Sequence, residues 1–353
     1  MFIRSVAAIA TALVMTGCAI HPEPQDVTGV STAHIVRQIR CETRDAAREL
    51  IRRELDRLAT YGKNPVAQNL LAEYEADPER MSDFDPVRSF PAPGDLQIRN
   101  IFKLFYSAGV AYDFTLTMNE QNDLLAGANF LGPWANKLTL GLTGNANRSR
   151  ENERTFTVTD KFSYLLRELN TPDLATGLRY CDGHINLGPN YIYPIAGNIG
   201  VYKTVYTFFQ MTIFDGLAPK PGSPAGATPA MADKLTFTTL FDLSATPKVE
   251  FAPVPSRFQV ADASATGLAR RKDTHQVIVG LALEPTGPVA LDSLRGFVFS
   301  GEGISGTRRR DRGGVVVGDR VITIATSGSE VLAAQKIDQV KKKDFQLLLP
   351  PNQ

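Results

Sequence analysis

The sequence is short of the residues that enzyme and metal sites most often use. Its 353 residues include four histidines, three cysteines and one tryptophan. No two histidines stand four residues apart, and no pair of cysteines has the Cys-x-x-Cys spacing, so no metal signature is present. A Gly-x-Ser-x-Gly serine motif is missing too. We therefore expect no cofactor, no metal and no catalytic residue, and the pattern favours a protein that is not an enzyme.

An excess of charge of one sign is also missing. The chain has 38 Lys and Arg against 37 Asp and Glu, which leaves a formal net charge of +1. A nucleic-acid surface needs basic residues in excess and gathered on one face, so we expect no nucleic-acid partner. The basic run Lys341-Lys342-Lys343 near the C-terminus fits either a solvated helix end or a contact with anionic lipid head groups.

The chain has no apolar run long enough to suggest a transmembrane helix. The apolar stretch at residues 6–15 follows Arg4 and is about half of the roughly 20 residues that such a helix needs. It ends in small residues just before Cys18. This is the pattern of a secretory signal peptide, so we expect residues 1–17 to be removed.

Residues 14–18, Val-Met-Thr-Gly-Cys, resemble the lipobox of bacterial lipoproteins, although Met15 stands where that family usually has leucine. The resemblance implies cleavage before Cys18, diacylglycerol and palmitate on that cysteine, and a lipidated tether at residues 18–30. Ala19 is not the aspartate that retains such proteins in the inner membrane, so the implied location is the outer membrane, on its periplasmic or its surface side. An ordinary signal peptide, with Cys18 near the cut by chance, is the alternative.

Cys41 and Cys181 then remain in an oxidising compartment, where disulfides persist. On a helical projection of residues 31–60 the apolar positions share one face, and Cys41 falls nearly opposite them. A cysteine on a polar face favours a bridge, so we predict the disulfide Cys41–Cys181. Two free thiols are the alternative.

The hydrophobic pattern predicts an α+β fold. Residues 31–62 have the period of an amphipathic helix, and Asn64-Pro65 opens a second one. From about residue 98 the period becomes two, as where Tyr112 and Phe114 alternate with polar neighbours. We therefore expect N-terminal amphipathic helices followed by antiparallel β-hairpins. Residues 197–214 are apolar all round and fit either a buried helix or strands.

The Pro-, Gly- and Ala-rich residues 215–233 are the strongest linker signal. They separate an expected helix-plus-antiparallel-β domain at residues 31–214 from a second β-rich segment at 234–353, which has the basic C-terminal tail. Similar tetrapeptides, Lys-Leu-Thr-Leu from Lys137 and Lys-Leu-Thr-Phe from Lys234, hint at a duplicated β module.

Few residues remain as candidates for chemistry. His184, in an expected loop after Cys181, is the histidine that we would test, whereas His275 fits a turn. Residues 301–306 match Gly-x-Gly-x-x-Gly, but a basic stretch follows instead of a helix start, so they predict no nucleotide site. Pairs of acidic residues lie in Pro-rich segments and are interpreted as hydrated loop positions.

Two further resemblances carry no activity. Residues 22–28, Pro-Glu-Pro-Gln-Asp-Val-Thr, and 35–42, Ile-Val-Arg-Gln-Ile-Arg-Cys-Glu, resemble the mature start of uncharacterised alphaproteobacterial lipoproteins of unknown function. Residues 273–279 loosely resemble trypsin-co-occurring accessory domains. Neither resemblance assigns a catalytic residue to this chain.

Three functional hypotheses follow. The first is a membrane-anchored cell-envelope lipoprotein with a non-catalytic binding or structural role, holding an envelope protein or a glycan. The second is a component of an outer-membrane pore or secretion assembly that contributes amphipathic strands, although Trp134 is the only tryptophan and such strands usually carry aromatic girdles. The third is a periplasmic hydrolase whose site is assembled from distant loops.

Overall fold

A computed structural model describes seven stretches of the chain, residues 21–131, 139–183, 190–217, 228–246, 248–250, 259–283 and 328–348. Cys18, His184 and residues 301–306 lie outside these stretches, as does most of the Pro-rich segment. Within them the chain has an α+β fold, with N-terminal helices followed by an antiparallel sheet, which confirms the expected class.

Eight α-helices and five strands make up the described part of the chain, together with short 3₁₀ turns. The helices are α1 Gln25–Thr28, α2 Thr32–Thr60, α3 Pro65–Ala76, α4 Pro86–Ser89, α5 Leu96–Ser107, α6 Phe162–Arg167, α7 Val201–Ile213 and α8 Gly328–Leu348. The strands are β1 Gly109–Leu131, β2 Thr139–Lys161, β3 Ala230–Ala245, β4 Lys248–Glu250 and β5 Gln259–Ala282.

The strands form one sheet in the order β2-β1-β5-β3, and β4 pairs with β5 so that Lys248 lies opposite Ser264. The strands on either side of the Pro-rich segment therefore belong to the same sheet. The tetrapeptide from Lys137 leads into β2, the second strand of the first hairpin. The tetrapeptide from Lys234 lies in β3, the first strand of the second hairpin. That match is consequently no evidence for a duplication.

The chain divides into two compact units. We call Met1–Ser31, Leu116–Arg154 and Thr238–Thr274 the hairpin unit, and the remaining residues the helical unit. The boundaries of these units fall within the long strands.

In the helical unit, the predicted disulfide is present and joins α2 to the loop after α6, with Cys41 and Cys181 Cα atoms 5.7 Å apart. Cys41 is fully buried, although its position on the helical projection is polar. The reason is that α2 is covered on more than one side, since Glu42 and Arg44 are buried as well.

Within residues 197–214, for which periodicity left two structures open, Val201–Ile213 form helix α7. Its core-facing side chains are mostly aliphatic and aromatic, and they fall three or four residues apart: Val201, Val205, Phe208, Phe209 and Ile213. Asn64 caps α3 by accepting hydrogen bonds from the N–H groups of Val66 and Ala67, as the Asn-Pro pair predicts.

Helix α8 lies in a segment expected to be rich in strands, where a helix end at the lysine run was one of two interpretations. Its residues Ala333 and Ile337 pack against Ala111, Ile278 and Ala282 of the sheet in the helical unit. The lysine run lies within this helix, and Lys341 Nζ is 2.6 Å from a carboxylate oxygen of Asp113. Within the described stretches, no helix is both long enough and apolar enough to cross a membrane.

Candidate functional site

The strands of the hairpin unit form a sheet with two faces, and side-chain contacts show which residues lie on each face. A Cβ atom on Gly127 would lie 3.5 Å from Ser264 Oγ and 3.8 Å from Thr143 Cγ2, so these three residues share one face. Arg270 Nη2 donates to Asp242 Oδ2 at 2.8 Å, which places the even residues of β3 on that face too. Because side chains alternate along a strand, the intervening residues lie on the other face.

The first of these faces is hydrophilic toward the hairpin ends, and we call it the polar face. Asp242 and Ser244 lie at its β3 edge, Thr143 and Asn145 lie at its β2 edge, and its two central strands carry leucine, hydroxyl and amide side chains. Between residues 125–129, 141–145, 240–244 and 264–268 it comprises Leu125, Gly127, Asn129, Gly141, Thr143, Asn145, Leu240, Asp242, Ser244, Ser264, Thr266 and Leu268.

The opposite face of the same part of the four strands has a different composition, and we call it the apolar face. Each described residue there is glycine or has an aliphatic or aromatic side chain: Leu124, Ala126, Ala128, Leu142, Gly144, Ala146, Phe241, Leu243, Ala245, Ala263, Ala265, Gly267 and Ala269. Leu124, Leu142 and Leu243 are 52%, 56% and 71% exposed. A contiguous exposed apolar surface of this kind indicates a partner or a membrane.

A charged belt borders the apolar face. Arg150 Nη2 lies 2.8 Å from Glu120 Oε2, and Asn122 donates to the same carboxylate at 3.0 Å. Burial raises the pKa of Glu120, but the hydrogen bonds from Asn122 and Arg150 outweigh this effect and lower the pKa below its ordinary value. Beyond this ion pair the first hairpin continues for eleven residues on each strand, 121–131 and 139–149.

The N-terminal segment is attached to this belt. Asn152 Nδ2 donates to the carbonyl oxygen of Pro22 at 3.0 Å, and Arg154 donates to the Glu23 carboxylate at 2.8 Å. Arg271 donates to the carbonyl oxygen of Glu23 at 2.5 Å. Along their strands, Asn152, Arg154 and Arg271 occupy positions between polar-face residues, so their side chains are on the other side of the sheet. The N-terminal segment therefore lies on the side of the apolar face.

In the expected tether, the described residues 21–30 therefore form helix α1 and contact the sheet. Hydrogen bonds from Arg154 and His21 lower the pKa of the Glu23 carboxyl.

The histidines do not form a reactive cluster in the described stretches. His21 lies beside Glu23 at 3.2 Å. His275 stands inside β5 rather than in a turn, is buried in the helical unit, and forms a hydrogen bond with the Tyr193 hydroxyl. No group of three or more His, Cys, Asp or Glu suited to a metal ion occurs among the described residues.

The apolar face is the feature that the sequence patterns missed. The Thr-rich strands nearer the helical unit give clear alternation, as at Tyr112 and Phe114, whereas the hairpin ends carry small residues. Alternation of Ala and Gly with Ser and Thr has little contrast in hydrophobicity. Comparing the even-numbered with the odd-numbered residues of all four strands together would have identified the face.

Comparison with known proteins identifies the family of this chain. The family described as uncharacterised protein y4kA matches residues 21–350, and the chain belongs to this family. Uncharacterized protein y4kA of Sinorhizobium fredii (strain NBRC 101917 / NGR234) is 29% identical over 351 residues, covering 98% of this chain and 99% of that protein. This agrees with the expected similarity to alphaproteobacterial proteins.

Similarity to solved structures is weak. The secretin InvG of the Salmonella SPI-1 type III secretion injectisome is 10% identical, with a TM-score of 0.18, over 57% of this chain and 74% of that one. Its open-gate structure has a TM-score of 0.15, with 57% and 68% covered. Scores this low carry no inference about this chain.

Proposed function

We propose that this protein is a non-catalytic structural component of the cell envelope, anchored by lipid on Cys18, whose hairpin unit inserts into the outer membrane as part of a pore. The observation that carries this proposal is the contrast between the apolar and polar faces at the hairpin ends. A strand in a pore wall faces lipid on one side and water on the other, so it needs this alternation.

The dimensions of the first hairpin support insertion. A tilted strand needs about 9–11 residues to cross the hydrocarbon layer. Beyond the Glu120–Arg150 ion pair and the next polar side chains on the same side, Asn122 and Arg148, nine residues remain on each strand, 123–131 and 139–147. The charged belt would then lie at the head-group level, where arginine side chains are favourable.

The attachment of the N-terminal segment supports the same orientation. The contacts at Pro22 and Glu23 hold this segment on the side of the apolar face. A lipid chain on Cys18 would enter the bilayer next to the apolar face, which is the surface that would contact lipid.

Membrane partition of two matched variants tests this proposal. In chains with Cys18→Ser, so that lipidation is absent, Leu124→Lys with Leu243→Lys places two charges on the apolar face. The control, Leu125→Lys with Leu240→Lys, places them on the polar face, where these leucines are 49% and 58% exposed. Both pairs add the same charge at similar exposure. Leu125 is the neighbour of Leu124, and Leu240 lies about 10 Å along the strand from Leu243.

We expect flotation with phospholipid vesicles to fall at least about tenfold for the apolar-face variant and to change little for the control, since a charge on a lipid-facing strand position costs about 2–4 kcal/mol near the bilayer centre. Equal loss in both variants would overturn the proposal. Unchanged flotation of the apolar-face variant, with loss of binding to a purified envelope protein, would favour the binding role instead.

A further inference from the structure

The sheet has two edge strands, β2 and β3. Among the residues that the structure describes, no strand pairs with the outer side of either one. The inference that follows rests on the proposed insertion. Because lipid offers no hydrogen-bond partners, an open strand edge cannot persist in the hydrocarbon layer, and each edge needs another strand.

Uncharged stretches of both edges lack the features that normally prevent pairing, although Asp242 lies next to the stretch on β3. Monomeric proteins protect edge strands with charged residues, proline or bulges. Residues 139–147 of β2 contain no charged residue and no proline, and the same is true of residues 235–241 of β3. These edges have the composition of strands that pair with a neighbour.

The directions of the strands determine which neighbour fits. Along the order β2-β1-β5-β3 each strand runs opposite to the next, so β2 and β3 also run in opposite directions. Placing β2 of one copy beside β3 of a second copy therefore continues the antiparallel pattern. It also keeps the apolar faces on one side and the hairpin ends at one level.

Two-fold pairing does not give this result. If β2 paired with β2 of a second copy in antiparallel fashion, the hairpin ends of the two copies would point in opposite directions. If the two strands were parallel, the apolar face of one copy would continue into the polar face of the other. Only a head-to-tail arrangement leaves each copy in the same relation to the membrane, and such arrangements form rings when the rotation between copies closes and open filaments when it does not.

We propose that copies of this chain assemble head to tail through β2 and β3 into a closed ring, in which each copy contributes four strands. The apolar faces form the outer, lipid-facing surface of the ring. The polar faces, with Asn129, Thr143 and Ser264 among their residues, line a water-filled passage.

Disulfide crosslinking between copies tests the arrangement. One variant carries a cysteine on β2, at Leu142 or Ala146, and the other carries it on β3, at Leu243 or Ala245. All four positions lie on the apolar face, and testing the four combinations allows for the unknown register between copies. Within one chain, β1 and β5 hold the β2 and β3 cysteines about 14 Å apart, too far for a disulfide.

We expect an oxidised mixture of β2-cysteine and β3-cysteine chains in membranes to give a mixed dimer, while each variant alone stays monomeric. A chain with both cysteines should give a ladder of multimers that ends at the ring size. Moving the β2 cysteine to Leu124 on the inner strand β1 should abolish the ladder.

Self-crosslinking of the β2 variant alone would overturn the head-to-tail arrangement in favour of two-fold pairing. Absence of the mixed dimer in all four combinations would overturn edge pairing. The vesicle flotation of the lysine variants is independent of these crosslinks, so failure of assembly is distinguishable from failure of insertion.

Discussion

The carboxylate of Glu42 shows how one buried residue organises two helices of the helical unit. It belongs to α2 and accepts hydrogen bonds from the N–H groups of Ile199, Gly200 and Val201 at 3.0, 2.8 and 2.7 Å. These groups form the start of α7 and have no partner within their own helix. Glu42 therefore fixes the N-terminus of α7 against α2.

The titration of Glu42 gives a prediction of pH dependence. Burial raises the pKa of Glu42 above its ordinary value, and this effect outweighs the three backbone hydrogen bonds that lower it. A raised folded-state pKa means that ionisation is harder in the folded than in the unfolded chain. Stability contributed by the neutral acid is thus lost as pH rises from the ordinary carboxyl pKa through the raised one.

Comparison of the wild type with Glu42→Gln isolates this group. We expect the free energy of unfolding of the wild type, relative to that of the variant, to fall as pH rises through the window just above the ordinary glutamate pKa. Urea unfolding of both chains at several pH values measures the difference. A difference that grows in favour of the wild type across that window would contradict the assignment.

At the scale of elements, helix α8 depends on a close approach to strand β5. A Cβ atom on Gly280 would lie 2.5 Å from the carbonyl oxygen of Ala333 in α8, a distance that forces the backbone to shift. Gly267 in the same strand has open space at the corresponding position. The two glycines form a matched pair.

We expect Gly280→Ala to lower the free energy of unfolding by about 1–3 kcal/mol, the usual cost of overpacking a core. Gly267→Ala should leave the free energy unchanged or raise it slightly, because it restricts the unfolded chain. Thermal or denaturant unfolding of the two variants measures both effects. Equal stability of the two variants would show that α8 does not pack on β5 at this position.

How well the sequence predicted each element depended on the contrast of its pattern. Strong patterns, such as the amphipathic α2 and the Asn64-Pro65 helix start, were predicted correctly. The helix α7 was ambiguous because its exposed side includes Tyr206 and Thr207, residue types that also favour strands. Helix α8 was predicted only as a helix end at its lysine run, because residues 234–353 were assigned as rich in strands, although Ala333, Ile337 and Val340 have helical spacing.

At the scale of the whole molecule, the antiparallel fold and the Cys41–Cys181 disulfide could be predicted from sequence, whereas the candidate site could not. The apolar face draws residues from four strands that lie up to about 145 positions apart in the chain. Its pattern exists only once the order and register of the strands are known. Local alternation of Ala with Ser or Thr contains too little contrast to show it.

The central claim of this account is that the two faces of the hairpin unit meet different solvents. The most direct measurement places single cysteines at residues 124 to 129 of β1 in the full chain, labels each with an environment-sensitive fluorophore, and reconstitutes the protein in vesicles. Quenching is then compared for a lipid-borne nitroxide and for aqueous iodide.

The account predicts a strict alternation. Labels at Leu124, Ala126 and Ala128 should be quenched by the lipid-borne nitroxide, and labels at Leu125, Gly127 and Asn129 by iodide. Quenching of all six labels by iodide, with none by the nitroxide, would contradict membrane insertion of the hairpin unit.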